Sequence, residues 1–298
     1  MDTLTGTLPG GYWDADGTLH RQVELDSLTG RDEELLMGAP DHKSAELVTE
    51  LLARRIRRLG EISPVPEYVS RRLLVGDREY LLLRLREATF GRNVHAGLVC
   101  PWSECGSRVS VNFSIDEIPV AESGDKGPIY SMTLSTNAAP ETDDDDRRVR
   151  FRLPTGQDQE EVLPWLRVNE AQALTQLLCR CICSIGQFES PSHSQVKELS
   201  PLARAEIDKQ MQSLAPGIDP VLETRCAHCG RSFLVPFNIQ HFFFGELRVD
   251  RDLLYREVHY LAYHYHWSET DIMGMPRTAR RTYLGVLADE IDRLNDGD

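Results

Sequence analysis

Cys100-Pro-Trp-Ser-Glu-Cys105-Gly106 and Cys226-Ala-His-Cys229-Gly230 are the two stretches on which the reading of this chain turns. The segments after the two pairs are alike. Val109, Val111, Phe113 and Ile115 alternate after Cys105, and Phe233, Val235, Phe237 and Ile239 alternate after Cys229 at the same offsets. Each half reads as a cysteine knuckle, a glycine that releases the turn, and a strand with one apolar face. Cysteines at this spacing suit a tetrahedral ion, and two knuckles together supply four thiolates. A site of that kind is structural, because no coordination position is left for a substrate. The expectation is one shared zinc ion held by Cys100, Cys105, Cys226 and Cys229. The stretch between Cys105 and Cys226 is then an insertion whose ends must meet in space. Buried thiols or a redox pair are the competing readings.

The 298 residues allow two or three domains' worth of core. A composition of 41% hydrophobic and 27% charged residues is that of a globular chain. The net charge of −14 argues against nucleic acid and anionic membranes as partners. No apolar run approaches the roughly 18 residues of a membrane span. The start, Met1-Asp-Thr-Leu-Thr-Gly-Thr-Leu-Pro, lacks the basic region and apolar stretch of a secretion signal. With seven cysteines, an odd number, the expected setting is a reducing cytoplasm.

Leu8 to Leu25 predicts a β-hairpin around the turn Asp14-Ala-Asp16-Gly17. A calcium loop is disfavoured there because the other acidic ligands of an EF-hand are missing. Thr29-Gly-Arg-Asp-Glu-Glu opens a short helix. A longer helix is expected over 43–59, with Val48, Leu52, Ile56 and Leu59 on one face. Arg54, Arg55, Arg57 and Arg58 crowd its end, and Gly60 stops it. Asp77 is expected to cap a helix running to Thr89. Glu141-Thr-Asp-Asp-Asp-Asp146 reads as a mobile acidic loop. Val149 to Leu153 alternates as a strand. Helices are expected over 157–163, 169–185 and 201–214, and Val221 to Thr224 leads as a strand into the second knuckle. The C-terminal part reads as three helices, the first with Leu254, Val258, Leu261 and Tyr265 on one face. The last aligns Tyr283, Leu287, Ile291 and Leu294. Ser268-Glu-Thr-Asp271 resembles a capping box.

Cys179, Cys181 and Cys183 fall within the helix expected over 169–185, where they cannot converge on one ion, so they read as small buried hydrophobes. His259, His264 and His266, interleaved with Tyr260, Tyr263 and Tyr265, read as packing or interface residues. Tyr255, His259, Tyr263 and Trp267 are the candidate partner-binding residues, since aromatic anchors dominate interfaces. The chain contains no Gly-x-Gly-x-x-Gly, P-loop, Gly-x-Ser-x-Gly or His-Glu-x-x-His, so no catalytic residues are assigned and no enzyme is expected.

Several segments carry a resemblance. One set is Leu8-Pro-Gly-Gly-Tyr with its acidic turn, Thr29-Gly-Arg-Asp-Glu-Glu-Leu, and Ala88-Thr-Phe-Gly before Cys100-Pro. The other is the second knuckle with Phe237-Asn-Ile, then Leu254-Tyr-Arg-Glu-Val-His, and Tyr265-His-Trp-Ser-Glu-Thr-Asp-Ile with Pro276. Together they resemble baseplate and tail-assembly proteins of contractile phages and contractile injection systems. The C-terminal segment is similar to the baseplate hub and chaperone proteins of T4-like phages. The resemblance covers 1–115 and 222–294. It implies that the four cysteines form a zinc knuckle and that the partners are other baseplate or tail proteins, a hub or spike among them. It also implies a chain made in the cytoplasm and assembled into a contractile tail-like particle. The alternatives are an assembly chaperone absent from the particle, a zinc-ribbon protein of nucleic acid or transcription, and a thiol redox enzyme.

The expected fold is α+β, a zinc-stapled two-knuckle β element with flanking helices and a C-terminal three-helix module. Its parts are an N-terminal hairpin with helices (1–90), the first knuckle with strands and acidic loop (91–153), a helical insertion leading to the second knuckle (154–240), and the C-terminal helical module (241–298).

Overall fold

The structure, a computed structural model, describes residues 3–38, 44–124, 127–139, 143–218, 221–236 and 251–295, with Ile239, Phe243 and Gly245. It is α+β, built from small antiparallel sheets and helices. β1 (Thr3–Trp13) and β2 (Leu19–Asp26) form the expected hairpin. Its turn is held by the Asp14 carboxylate, which accepts from the amides of Asp16 (3.0 Å) and Thr18 (2.8 Å). α1 (Gly30–Gly38) follows, then α2 (Ser44–Arg55) and β3 (Ile56–Leu59), which pairs with β2.

The single helix expected over 43–59 is therefore two elements, with Lys43 outside the described residues. Ile56 and Leu59 are buried from a strand that pairs with Leu25 and Val23, and that pairing outweighs the helical spacing. The arginines accordingly part company. Arg54 meets Glu50 one turn back, Arg55 reaches Asp32, and Arg58 pairs across the sheet with Glu24.

α3 (Glu67–Arg72) and α4 (Val75–Phe90) complete this part. Leu74, not Asp77, occupies the N-cap of α4. Asp77 falls inside the helix, fully buried, and accepts from the amides of Gly10 (2.7 Å) and Gly11 (2.9 Å) at a bulge in β1. Burial pushes its pKa up to about 6 against those two donors. The Gly-Gly of Leu8-Pro-Gly-Gly-Tyr is thus where strand and helix are pinned together. Gly11 has φ +84°, and its amide can be presented there without strain. The core behind this contact is Leu8, Val23, Leu25, Val48, Leu52, Leu81, Leu82 and Leu85.

β4 (Asn93–Val99) and β5 (Arg108–Ser114) form a hairpin with the first cysteine pair at its tip. β4 is an addition to the expected strands, with Val94, Ala96 and Leu98 at alternate positions opposite Phe113, Val111 and Val109. Ile115 leaves the strand into a short 3-10 turn and enters the main core. β6 (Val120–Ala121) leads out of this part. The chain then forms β7 (Ile129–Thr133), β8 (Arg148–Arg152), α5 (Gly156–Leu166), α6 (Glu170–Cys181) and β9 (Ile182–Ile185). β10 (Phe188–Glu189), α7 (His193–Glu198) and α8 (Pro201–Leu214) come after them. β11 (Gly217–Ile218) pairs antiparallel with β6 and closes the neck of the excursion. Next come β12 (Val221–Arg225) and β13 (Ser232–Pro236), a hairpin with the second cysteine pair at its tip. Phe237 lies outside the described residues, and Ile239 is buried in the same core as Ile115. Asp143 to Asp146 form a hydrogen-bonded turn, with the Arg147 amide donating to Asp143 (3.1 Å) and Asp144 paired to Arg147. Residues 141 and 142 of the acidic block lie outside the described residues.

The helix expected over 169–185 is also two elements, for the reason that split 43–59. Ile182 and Ile185 pair with Phe151 and Val149, so Cys183 sits on a strand while Cys179 and Cys181 end a helix. The coincidence is general. The chain is a tandem duplication with an offset of 126 residues. α2-β3-α3-α4 and α6-β9-α7-α8 occur in the same order with matching starts at 44, 56, 67, 75 and 170, 182, 193, 201. The strand registers agree residue for residue. Thr3↔Asp26 matches Ile129↔Arg152, and Leu25↔Ile56 matches Phe151↔Ile182. Gly60 (φ +55°) and Gly186 (φ +53°) turn the chain alike, donating to Gln22 and Arg148. Arg78 donates to Thr49 (2.7 Å), and Arg204 to Thr175 (3.0 Å).

The C-terminal helices are α9 (Arg251–Tyr265), α10 (Glu269–Met273) and α11 (Arg277–Asn295). Leu254, Val258, Leu261, Ile272 and Met273 form their core, with Tyr265 and Leu284 packed against it. They dock on α1 through a buried ion cluster. Glu33 takes Arg277 (3.0 Å) and Arg280 (2.5 Å), and Arg280 also reaches Glu257 (3.4 Å). Arg280 is fully buried and Glu33 nearly so. Removing one member of such a cluster strands the other charges in low dielectric. Glu33→Gln is therefore expected to destabilise the protein by about 3–5 kcal/mol, read as a fall in denaturant midpoint. α9 to α11 should lose amide protection from hydrogen exchange before the rest. A change below about 0.5 kcal/mol would show that the cluster does not hold the module.

Candidate metal centre and partner surface

Both cysteine pairs sit at hairpin tips, and the local sequence explains each turn. In the first, the Cys100 amide donates to Ser107 (2.9 Å), and the Cys105 and Gly106 amides donate to Trp102 (2.8 and 3.1 Å). In the second, Cys226 donates to Arg231 (3.0 Å) and Gly230 donates to Cys226 (2.8 Å). Gly106 (φ +57°) and Gly230 (φ +72°) occupy left-handed backbone immediately after the second cysteine of each pair. This turn aims both thiols of a hairpin to the same side.

The two tips face one another. Cys100 Sγ lies 3.9 Å from Cys229 Sγ, and Cys105 Sγ lies 3.8 Å from Cys226 Sγ. All four sulfurs fall within 4.8 Å of one another. The first cysteine of each hairpin meets the second of the other, which is the pairing a two-fold axis between duplicated units requires. None of the four is in a disulfide. A tetrahedral ion with metal–sulfur bonds of about 2.3 Å has sulfurs separated by about 3.8 Å. The two separations across the hairpins match that distance, and the donor set suits a thiophilic ion.

Cys100 and Cys226 are buried, and Val109, Val111 and Phe233 pack around the sulfurs. Hydrogen bonding from Ser107 pulls the Cys105 thiol down to about 6, and the Cys229 amide lowers Cys226. Burial pushes Cys100 up to about 12. At the rim, Arg231 reaches across to Glu104 (2.9 Å) and covers the Trp102 ring (5.4 Å to its centroid). Cys179, Cys181 and Cys183 stay apart from the cage. Cys181 is buried in the second core with its thiol raised to about 12 by desolvation.

The candidate partner residues are divided by the structure. Tyr255 donates its hydroxyl to Glu34 on α1. Trp267 stacks on Tyr265 (4.7 Å) and meets Tyr283 edge-on (4.8 Å), tying α9 to α11. His259 and Tyr263 stack on one another on the exposed side of α9, beside an exposed Tyr260.

Residues 11–244 match the model of the T4 bacteriophage base plate protein family. The chain belongs to that family. The match spans both duplicated units and both cysteine hairpins, and it bears out the baseplate resemblance carried by the sequence. Membership supports a structural role in a base plate, with other base plate proteins as partners. A second model, a family of unknown function (DUF6760), matches residues 247–298. This base plate family protein therefore joins two recognisable parts whose boundary falls just before α9. No curated protein and no solved structure matches it. Among its described residues no helix is long and apolar enough to cross a membrane.

Reading by motif found the four cysteines and missed the duplication. Self-comparison at one offset would have exposed it, since Thr29, Gly30, Asp32, Thr49, Arg54, Gly60, Arg78 and Cys100 recur as Thr155, Gly156, Asp158, Thr175, Arg180, Gly186, Arg204 and Cys226. The knuckle geometry is directly testable. A Cβ at Gly230 would meet only Arg225 Nη2, at an ordinary contact of 3.8 Å, so the main cost of substitution is conformational. Gly230→Val should lower stability by about 1–2 kcal/mol, while Gly230→Asn, which tolerates this backbone, should cost less. Equal denaturation midpoints for the two variants would show that the left-handed turn contributes nothing.

Proposed function

We propose that this chain is a structural component of the baseplate of a contractile phage tail-like injection system, stapled by one structural zinc ion. The observation that carries the zinc is the S4 cage, with nearest sulfurs from different hairpins 3.8 and 3.9 Å apart. Cys100, Cys105, Cys226 and Cys229 would hold the ion. Bound there, zinc would supply only structural linkage, because four thiolates fill a tetrahedral shell. The role is scaffolding, with no catalysis. It consists in holding two β hairpins, and the units behind them, at a fixed distance while exposed side chains meet neighbours. His259 and Tyr263 are offered for that contact, since both are exposed and aromatic and neither is needed for the core of the C-terminal helices.

Elemental analysis of purified protein should find about one zinc per chain. Cys226→Ser should lose the metal and open the paired hairpins, because binding and folding are coupled. Cys181→Ser should keep it. Full zinc retention by Cys226→Ser would sink the shared site, and stoichiometric iron would replace zinc by another thiophilic ion.

The docking reading has its own check. The double variant His259→Ala/Tyr263→Ala should keep its metal and unfold within about 0.5 kcal/mol of the parent, yet fail to enter contractile particles. Normal incorporation would dismiss this surface. If the parent chain supports assembly but is missing from finished particles, the chain is an assembly chaperone instead of a component.

A further inference from the structure

The duplicated units contain a repeated grip. The element gripped is Thr-Gly-x-Asp-x-Glu at the start of a helix, present as Thr29-Gly30-Arg31-Asp32-Glu33-Glu34 and as Thr155-Gly156-Gln157-Asp158-Gln159-Glu160. In both, the threonine amide and hydroxyl donate to the aspartate carboxylate at 2.7–2.9 Å, which fixes the helix start. What grips it is a set of three helices whose last member carries an arginine in its first turn.

Two grips are closed within the molecule. In the first, α2, α3 and α4 hold the second unit's element. The Val75 amide donates to Pro154 (3.1 Å), and the Gly156 amide donates to Leu73 (3.0 Å). Arg78 is fully buried against Gly156, where a Cβ would stand 2.1 Å from its Nη1. Glu160 is taken by the Thr49 hydroxyl and by Arg71 (3.0 Å). In the second, α9, α10 and α11 hold the first unit's element. The Arg277 amide donates to Leu28 (3.2 Å), and Thr29 bridges Pro276. Arg280 lies against Gly30, and Glu34 is taken by the Tyr255 hydroxyl. Glu67, Val75 and Arg78 correspond to Glu269, Arg277 and Arg280 at one offset of 202 residues.

A third set, α6, α7 and α8, has the same parts and grips no such element among the described residues. Thr175, Lys197 and Arg204 stand where Thr49, Arg71 and Arg78 stand in the first unit. Arg204 donates to Thr175 as Arg78 does to Thr49, but it is only partly buried. The carbonyl of Leu199 occupies the place of the Leu73 acceptor. Pro201 replaces Val75 and carries no N–H, so one of the two backbone rungs is absent here. Ala171 is exposed where Ala45 is buried under the gripped helix. The residues just before it in the chain, Trp165, Leu166 and Val168, are between 42% and 75% exposed.

We propose that α6, α7 and α8 form an open docking surface for the Thr-Gly-x-Asp-x-Glu helix start of another protein, a base plate neighbour. The two closed grips identify the occupant by example. The charges agree, since Lys197 is a cation at the place from which Arg71 takes the element's glutamate. A second copy of this chain is disfavoured as donor because both of its elements are already held. One is held by the buried Glu33 cluster, and breaking that cluster would strand its charges. The surface goes beyond the structural-component reading and stands independently of the zinc.

The test titrates full-length protein into a fluorescent peptide copying residues 23–38 of this chain and follows anisotropy. Saturable binding is expected. It should weaken at least about tenfold in Lys197→Glu and in Ala171→Asp, whose side chains are exposed and whose metal content and melting should match the parent. A peptide with Gly30→Val should not bind, since the arginine packs against a bare Cα. No binding at millimolar peptide overturns the proposal. So does binding that ignores Lys197→Glu and Ala171→Asp, which would mean exchange at the two occupied grips. Concentration-dependent head-to-tail association of the protein alone, abolished by the same variants, would also overturn it by making a second copy the occupant.

Discussion

The fold hinges on closing a long excursion. Cys105 and Cys226 are 121 residues apart in sequence and 3.8 Å apart in space. As a flexible loop, that closure would cost on the order of 5 kcal/mol in chain entropy. The protein does not close it as a flexible loop. The excursion is itself a folded unit with its own core of Val149, Phe151, Leu178, Ile207 and neighbours, and β6 pairs with β11 at its neck. Ile218 of β11 and Ile118, just before β6, belong to the first core. Two folded bodies then dock through their cysteine hairpins, and an ion in the cage would fasten contacts that packing has already brought together.

The duplication explains why four ligands divide as two and two, and why they cross. A unit with one cysteine hairpin holds half a site and cannot enclose an ion. Two such units related by a local two-fold place the first thiol of one beside the second thiol of the other, and the separations of 3.8 and 3.9 Å follow that rule. The same relation accounts for the shared alternation after each pair. The strands behind the cage are copies, so Val109 and Phe233 meet the sulfurs from equivalent places. Away from the cage the copies diverge. Asp77 pins the β1 bulge in the first unit, and Ala203 stands at its place in the second.

Local pattern made much of this legible. The cysteine spacing, the first hairpin, the helix starts at Thr29 and Ser268 and the three C-terminal helices all lie within short windows of sequence. What was hidden depends on partners far along the chain. Ile56 to Leu59 and Ile182 to Ile185 carry helical spacing, yet each becomes a strand because β2 or β8 offers an open edge at the right distance. Asp77 has the composition of a cap, and only the fold brings the Gly10 and Gly11 amides to it. The candidate docking aromatics looked equivalent along one helix. Tertiary contacts engage Tyr255 and Trp267 inside the molecule and leave His259 and Tyr263 outside. The duplication itself was legible, but at 126 residues it exceeds any window used for periodicity.

A duplicated protein with a two-fold site could have been symmetric throughout, and the C-terminal helices are what prevent it. If the second unit's helices gripped the first unit's element as the first unit's helices grip the second's, the pair would be closed and self-satisfied. Instead α9, α10 and α11 occupy the first unit's element. Arg280 takes the place against Gly30 that symmetry would give to Arg204. The burial of the three arginines records the outcome, since Arg78 and Arg280 are enclosed and Arg204 is not. The grip thereby runs in one direction along the molecule, from the C-terminal helices to the first unit and from the first unit to the second. A heterologous contact of this kind does not close on itself, whereas the isologous contact at the cysteine cage does. The two symmetries have different consequences. The cysteine contact joins the two units symmetrically, while the directional grip leaves α6, α7 and α8 without a gripped element among the described residues.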